Sequence, residues 1–282
     1  MLGVALLVFR EVLEAALIVT IVAAATRGVV GRARFIGGGI GLGIVGAIVV
    51  ALFAGAIEEA VGGSGQELFN ACVLLAAVLM IGWHVIWMSS HGRELAQQMQ
   101  SVGHAVKAGS SSLAMLLAVV ALAVLREGSE IVLFLYGMAA GGAGRADLLL
   151  GVPLGIAGGS LVGFALYFGL LRIPLRHFFT ATNWMLVLLA AGLASTAARF
   201  LIQANWLPAW DNQVWNTSAL LDNGSVVGQA LHILVGYEAR PAGMQIAFWL
   251  ATATLLMLGM RWIARGQVAQ RAAPTATPQA TA

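Results

Sequence analysis

Charge is what this 282-residue sequence has least of: Asp, Glu, Lys and Arg together make up 10% of it. Soluble globular domains carry roughly 25%. The chain therefore lacks the polar surface that keeps a domain dissolved, which excludes a cytosolic enzyme and a disordered regulator. Cysteine is scarcer still. The one residue, Cys72, closes no internal disulfide, so a disulfide-built extracellular module and redox chemistry through paired thiols are excluded. A phosphate-cradling loop is also missing, because the glycine pairs lie inside apolar runs with no Gly-Lys-Ser/Thr after them. That argues against internal ATP-driven transport. The isoelectric point near 9.6 does not point to nucleic acid, since the arginines stand singly at the ends of apolar runs, the pattern of membrane orientation. What remains is apolar: 60% of residues are hydrophobic and the mean hydropathy is +0.90. This is the composition of an integral membrane protein.

A helix crosses the hydrocarbon core with about 20 largely apolar residues. The sequence predicts seven such spans, at 2–26, 35–57, 68–90, 113–140, 147–171, 181–202 and 244–264. The first has no basic leader and contains two carboxylates, so it is expected as a retained helix and not as a signal peptide. One set of connecting segments holds Arg27, Arg32, Arg34, Arg93, Lys107, Arg172, Arg176, Arg261, Arg265 and Arg271, with Glu94 its one acid. The alternate set holds Arg145 and Arg240 against Glu58, Glu59, Glu67, Asp147, Asp211, Asp222 and Glu238. Basic segments stay cytoplasmic, which places the N-terminus outside and the C-terminus inside. Residues 91–112 read as a polar cytoplasmic connector with a short helix from Glu94 to Val106. Residues 203–243 read as an external loop whose Trp206, Trp210 and Trp215 suit the interface, and 266–282 as a disordered tail.

Intramembrane charge concentrates in two spans. The first contains Arg10-Glu11-Val12-Leu13-Glu14 and the fourth Arg126-Glu127-Gly128-Ser129-Glu130, one Arg-Glu-x-x-Glu pattern occurring twice. Each is followed by a glycine-striped span, with Gly37, Gly39, Gly41 and Gly43 in the second and Gly151, Gly155, Gly159 and Gly163 in the fifth. Small residues at four-residue spacing let helix backbones approach closely. Spans 1–3 (within 1–90) and 4–6 (113–202) thus read as two copies of one unit, inverted relative to each other because each has three spans. Inverted repeats with a midplane site are a transporter signature. The seventh span, 244–264, stands outside the repeat, within one transmembrane domain covering 1–265. Glu11 lies about 15 Å and Glu127 about 20 Å from the external helix ends at helical rise, near the bilayer centre.

Glu11 and Glu14 share a helix face, as do Glu127 and Glu130, and each Arg stands four residues before the second acid. Four carboxylates against two guanidiniums leave two negative charges uncompensated. A divalent or trivalent cation offsets them, and carboxylate oxygens favour hard cations, iron among them. Two rival readings remain open on the residues alone. The motifs can be self-neutralising structural salt bridges in a non-transporting scaffold, or a metal-free proton relay of coupled carboxylates. An arriving cation would displace protons, so affinity would fall at low pH. The residues argue against a membrane hydrolase, because Ser129 has no histidine in its turn.

The paired motif resembles the Arg-Glu-Gly-Leu-Glu signature of the high-affinity iron permeases, which comprise the fungal ferric permeases and the bacterial EfeU-type iron permeases. The resemblance extends to about residue 264, and the stretch from Trp215 to Pro241, with Ser218-Ala219-Leu220-Leu221 and Gly236-Tyr237, is similar to the bacterial branch. It implies an all-α inner-membrane permease with no permanently bound cofactor, moving Fe2+ or Fe3+. Glu11, Glu14, Glu127 and Glu130 are then the transport ligands, and Arg10 and Arg126 support them. It also implies external oxidase, peroxidase or iron-delivery partners. A carrier of Mn2+ or Pb2+ on the same scaffold is the alternative. Val12 stands where the first motif usually has Gly, while Gly128 retains it, so strict equivalence of the halves is in question.

Further candidates are weaker. Glu58, Glu59 and Glu67 bracket a short external loop and form a possible capture site at the entrance, or an ordinary solvated acidic loop. His84 and His91 share a face of the third span and form a possible exit relay, since imidazole suits ferrous iron, or pack as buried histidines. Met80 and Met88 on that span read as packing. Asp211, Asp222 and Glu238 line a vestibule or serve loop solubility.

Overall fold

The computed structural model describes the backbone of residues 1–61, 66–168 and 175–272, and their side chains except at 57–61, 88–96, 175–179, 226, 233, 264 and 266–272. The described residues form the helices α1 (Leu2–Ala25), α2 (Arg32–Val61), α3 (Gln66–Lys107), α4 (Leu113–Ala140), α5 (Arg145–Tyr167), α6 (Leu175–Gln203), α7 (Val226–Val235) and α8 (Gly243–Ala272). It is an all-α, largely apolar bundle. Five helices, not seven, are long and apolar enough to cross a membrane: α2, α3, α5, α6 and α8. The difference has one physical origin. Helices α1 and α4, with 24 and 28 residues, are long enough for a ~30 Å core, but each holds the three charges of its motif within about one and a half turns.

Two connectors differ from expectation. Residues 91–107 do not form a separate short helix; they continue α3, which runs unbroken for 42 residues. Glu94-Leu95-Ala96-Gln97-Gln98-Met99-Gln100 are all good helix formers and no proline interrupts them. At helical rise α3 is about twice as long as the hydrocarbon core is thick. Helix α8 likewise continues past 264 to Ala272.

Packing is reciprocal. Helices α1 and α4 touch each other, α3 lies against α6, and the glycine-rich helices cross over, α5 onto α1 and α2 onto α4. A Cβ added at Gly151, Gly155 or Gly159 would lie 2.7, 2.6 and 2.8 Å from the Cβ atoms of Val4, Val8 and Val12. On the other pair, Gly39 and Gly43 stand in the same relation to Val120 and Val124, at 2.9 and 2.6 Å. The third rung inverts the bulk. Val12 sits over Gly159, whereas Gly128 would meet Ala47 at 2.6 Å. The valine in the first motif is thus accommodated by a glycine on its neighbour.

Two apolar clusters fill the interior. One joins Val4, Leu7 and Val8 of α1 to Leu74 and Ile81 of α3, Phe134 and Met138 of α4, and α6. The other joins Val22, Ile36, Val106, Leu116 and Val120. Along α1 and α4 the charged motifs fall between them. The segment after α6 folds back on the bundle through α7, capped by the Ser225 hydroxyl accepting from Gly228 N–H at 2.9 Å. It ends at Gly236 (φ 73°), whose backbone abuts Gly192 of α6.

Gly155→Ala is expected to lower the thermal midpoint of the purified protein, with a loss of roughly 1–3 kcal/mol. Its new Cβ would meet the Ala5 carbonyl at 2.7 Å and the Phe9 amide nitrogen at 2.9 Å, backbone atoms that cannot rotate away. Gly41→Ala, with nothing within 4 Å of the added carbon, is expected to leave the midpoint unchanged or raise it. Thermal scans of both variants in one detergent check the contrast.

Candidate metal centre

The motif side chains of α1 and α4 converge on one another and on α3. Arg10 is 2% exposed, Glu11 0%, Glu14 2% and Glu127 1%, a degree of burial that ionisable groups tolerate only when compensated. Arg10 supplies much of that compensation. Its Nη1 donates to Glu11 Oε1 at 2.6 Å, and its Nη2 lies 2.7 Å from Glu14 Oε1. Nη2 is also 2.9 Å from His84 Nε2. A guanidinium only donates, so His84 accepts at Nε2 and carries its proton on Nδ1, which faces the Glu130 carboxylate and pairs with it. His84 therefore connects the first motif to the second.

The second motif is more open. Arg126 Nε donates to Glu130 Oε1 at 3.1 Å and stands 3.9 Å from Glu127 Oε1, with the side chain 35% exposed. Its guanidinium stacks over the Trp87 ring, 4.5 Å from the centroid. Neither oxygen of Glu127 or of Glu14, nor Oε2 of Glu11, accepts a hydrogen bond, although Glu14 Oε1 is ion-paired with Arg10. Two sets of three residues bring ligand atoms within 4.8 Å of one another: Glu11, Glu14 and His84, and Glu11, Glu127 and Glu130. Glu11 belongs to both. Such a spacing surrounds one small ion, and the donors are mainly carboxylate oxygen, which suits hard cations.

Residues 1–269 match the family described as "Iron permease FTR1 family". The chain belongs to that family. It is 34% identical over 254 residues to the ferrous iron permease EfeU of Escherichia coli O6:H1, covering 86% of this chain and 89% of the relative. The figures for the protein of that name in Shigella sonnei are 34% over 253 residues, with the same coverage. The one in Shigella flexneri is 34% identical over 189 residues, 65% of this chain and 78% of the relative. No solved structure matches. Iron permeases of this family are transporters and not enzymes, and the apolar helices make this member a multi-pass protein of the inner membrane.

The other residues singled out from the sequence fall elsewhere. Glu67 is exposed in the first turn of α3, outside the cluster. The side chains of Glu58, Glu59 and His91 lie outside the described residues. His84 faces the acidic cluster itself. Glu238 accepts from Asn223 and stands 3.7 Å from Arg199, while Asp211 and Asp222 accept backbone N–H groups of their own turns. Glu238 thus ties the segment between α6 and α8 together, while Asp211 and Asp222 fix local turns within it. The bridge made by His84 and the stacking of Trp87 were not foreseen. Their three-residue spacing, which puts both on one face of α3, is the one signal the sequence offers.

Arg10→Met is expected to destabilise the protein by about 3–5 kcal/mol, because it strips the cation from two buried carboxylates. Arg126→Met is expected to cost less, because its side chain is 35% exposed and Glu130 keeps its pairing with His84. Thermal midpoints and folded yields of the two variants, compared side by side, check the difference.

Proposed function

We propose that this protein takes up iron across the inner membrane through the buried cluster formed by the two Arg-Glu-x-x-Glu motifs. One observation carries the reading: in a member of the iron permease family, both motifs meet at a single buried site whose four carboxylates outnumber its two guanidiniums. The two uncompensated charges and the unbonded oxygens of Glu127 and Glu11 favour an arriving cation. Glu11, Glu14, Glu127 and Glu130 line the site, and Arg10 and Arg126 hold the carboxylates in place. The relatives are named as ferrous iron permeases, which favours iron over manganese or lead as cargo. External oxidase, peroxidase or iron-delivery proteins belong to the proposal on family membership alone.

The architecture in this reading has seven spans, α1 and α4 included, with the N-terminus outside and residues 113–202 repeating 1–90 in inverted orientation. Reciprocal packing supports it. Motif helix meets motif helix, third helix meets third helix, and each glycine helix crosses to the other half. The third helices also share Leu-Leu-Ala-Ala, at 74–77 and 188–191. An inverted pair offers one site with two equivalent approaches, which is what alternating access requires.

Glu127→Gln keeps the volume of the side chain and removes its charge. Uptake of radioactive iron by cells carrying this variant is expected to fall to background while the membrane level of the protein stays normal. Undiminished uptake would defeat the reading. Competition by manganese and lead in the same assay identifies the cargo.

A further inference from the structure

The two sets of converging ligands are not equivalent, although the motifs that supply them are nearly identical in sequence. In the set made by Glu11, Glu14 and His84, a cation is already present: the Arg10 guanidinium reaches all three, at 2.6, 2.7 and 2.9 Å. Arg10 is 2% exposed, so it has no solvent to move into. In the set made by Glu11, Glu127 and Glu130, the cluster's one other guanidinium, Arg126, is a third exposed and held from the side by Trp87. It bonds Glu130 and stands off Glu127 at 3.9 Å. Neither oxygen of Glu127 nor of Glu14 accepts a hydrogen bond, and the second oxygen of Glu11 is likewise unbonded. But Glu14 is ion-paired with the buried Arg10 at 2.7 Å, whereas Glu127, 1% exposed, has a guanidinium no nearer than 3.9 Å. Buried carboxylate oxygens with neither a hydrogen bond nor a close cation carry a large desolvation cost, and those of Glu127 belong to the set that no buried cation fills.

We infer that the metal is held by Glu11, Glu127 and Glu130, one carboxylate from α1 and two from α4, while Glu14 acts as the anchor of Arg10 and not as a ligand. This rests on the permease reading and refines it. Arg10 takes the place of a second cation: anchored by Glu14 and braced by His84, it offsets the charge of Glu11 from the side opposite the metal. His84 is a positioning residue, since its Nδ1–H orients Glu130 as its Nε2 holds Arg10. Outer partners of this kind fix the direction of carboxylate ligands.

Charge-balanced double variants separate this from a symmetric four-glutamate cage. Fe2+ binding to the full-length protein in detergent, measured anaerobically by calorimetry, is expected to weaken by about tenfold or less in Arg10→Gln/Glu14→Gln. In Arg126→Gln/Glu130→Gln a ligand is lost, and the expected weakening is on the order of 100-fold, at or beyond the top of the range for outer-partner losses. Equal losses in the two double variants would overturn the inference and leave the permease reading standing. Anomalous scattering at the iron edge from the unmodified protein tests the same point without any variant. An ion ligated by Glu127 and Glu130 but not by Glu14 supports the assignment, and an ion ligated by Glu14 overturns it. Failure of the unmodified protein to bind Fe2+ would overturn the permease reading and the inference together.

Discussion

Six charged side chains and a histidine packed between two apolar clusters set the terms for the rest of this bundle. A single charge at mid-bilayer depth costs at least ~2.5–3.5 kcal/mol on insertion scales. Desolvation of an ion pair is recovered only where geometry is good and the remaining polar atoms find partners. Arg10 comes nearest to that condition, with short contacts to Glu11, Glu14 and His84, although its Nε stays unbonded. Glu127 does not, with both oxygens unbonded. Stability alone gives no reason to retain such a group, because an apolar residue of similar volume would serve the core at lower cost. A cargo that neutralises the group on arrival does give one.

Bringing two charged helices together requires their flanks to close tightly, and the glycine stripes make this possible. Where α5 crosses α1, and α2 crosses α4, valine side chains occupy space that a Cβ on the facing glycine would need. Close backbone contact of this kind replaces the hydrophobic drive that lipid does not supply. The exchange at the third rung shows what is kept constant. One motif has Val12 over Gly159 and the other has Gly128 over Ala47, so what is preserved is one glycine at the crossing, on either helix, and not the residue at a given motif position. The departure of Val12 from the family pattern is therefore a packing matter and leaves the ligand positions on both sides of it intact.

The motifs were legible in the sequence because charge inside an apolar run has no local explanation, and because the pattern recurs with its glycine stripe. Helical periodicity then put each pair of acids on one face. What periodicity cannot give is a partner on another helix. His84 bonds Arg10 across 74 positions, and nothing in the neighbourhood of either residue encodes that. The span count diverged for a related reason: the feature that carries the chemistry, three charges within five residues, is the feature that removes α1 and α4 from the helices apolar enough to cross a membrane. The extension of α3 is hard to see in the sequence because its polarity resembles a break, whereas Glu94 to Gln100 are helix formers that change only the helix's surroundings.

The inverted repeat proposed above leads one to expect a symmetric site, but the side chains break the symmetry in one direction. His84 on α3 has Ala198 at the corresponding place on α6, counting from the shared Leu-Leu-Ala-Ala, so one half supplies a brace and the other a methyl group. The brace falls on the side of Arg10, which is sealed, and the opposite arginine is left stacked on Trp87 with a third of its side chain exposed. A carrier gains from this arrangement. A fully symmetric cage of four carboxylates would hold a multivalent ion with nothing to favour its departure. A cage in which one position is filled by a guanidinium has lower net charge and fewer free oxygens, and both lower the cost of letting the ion go.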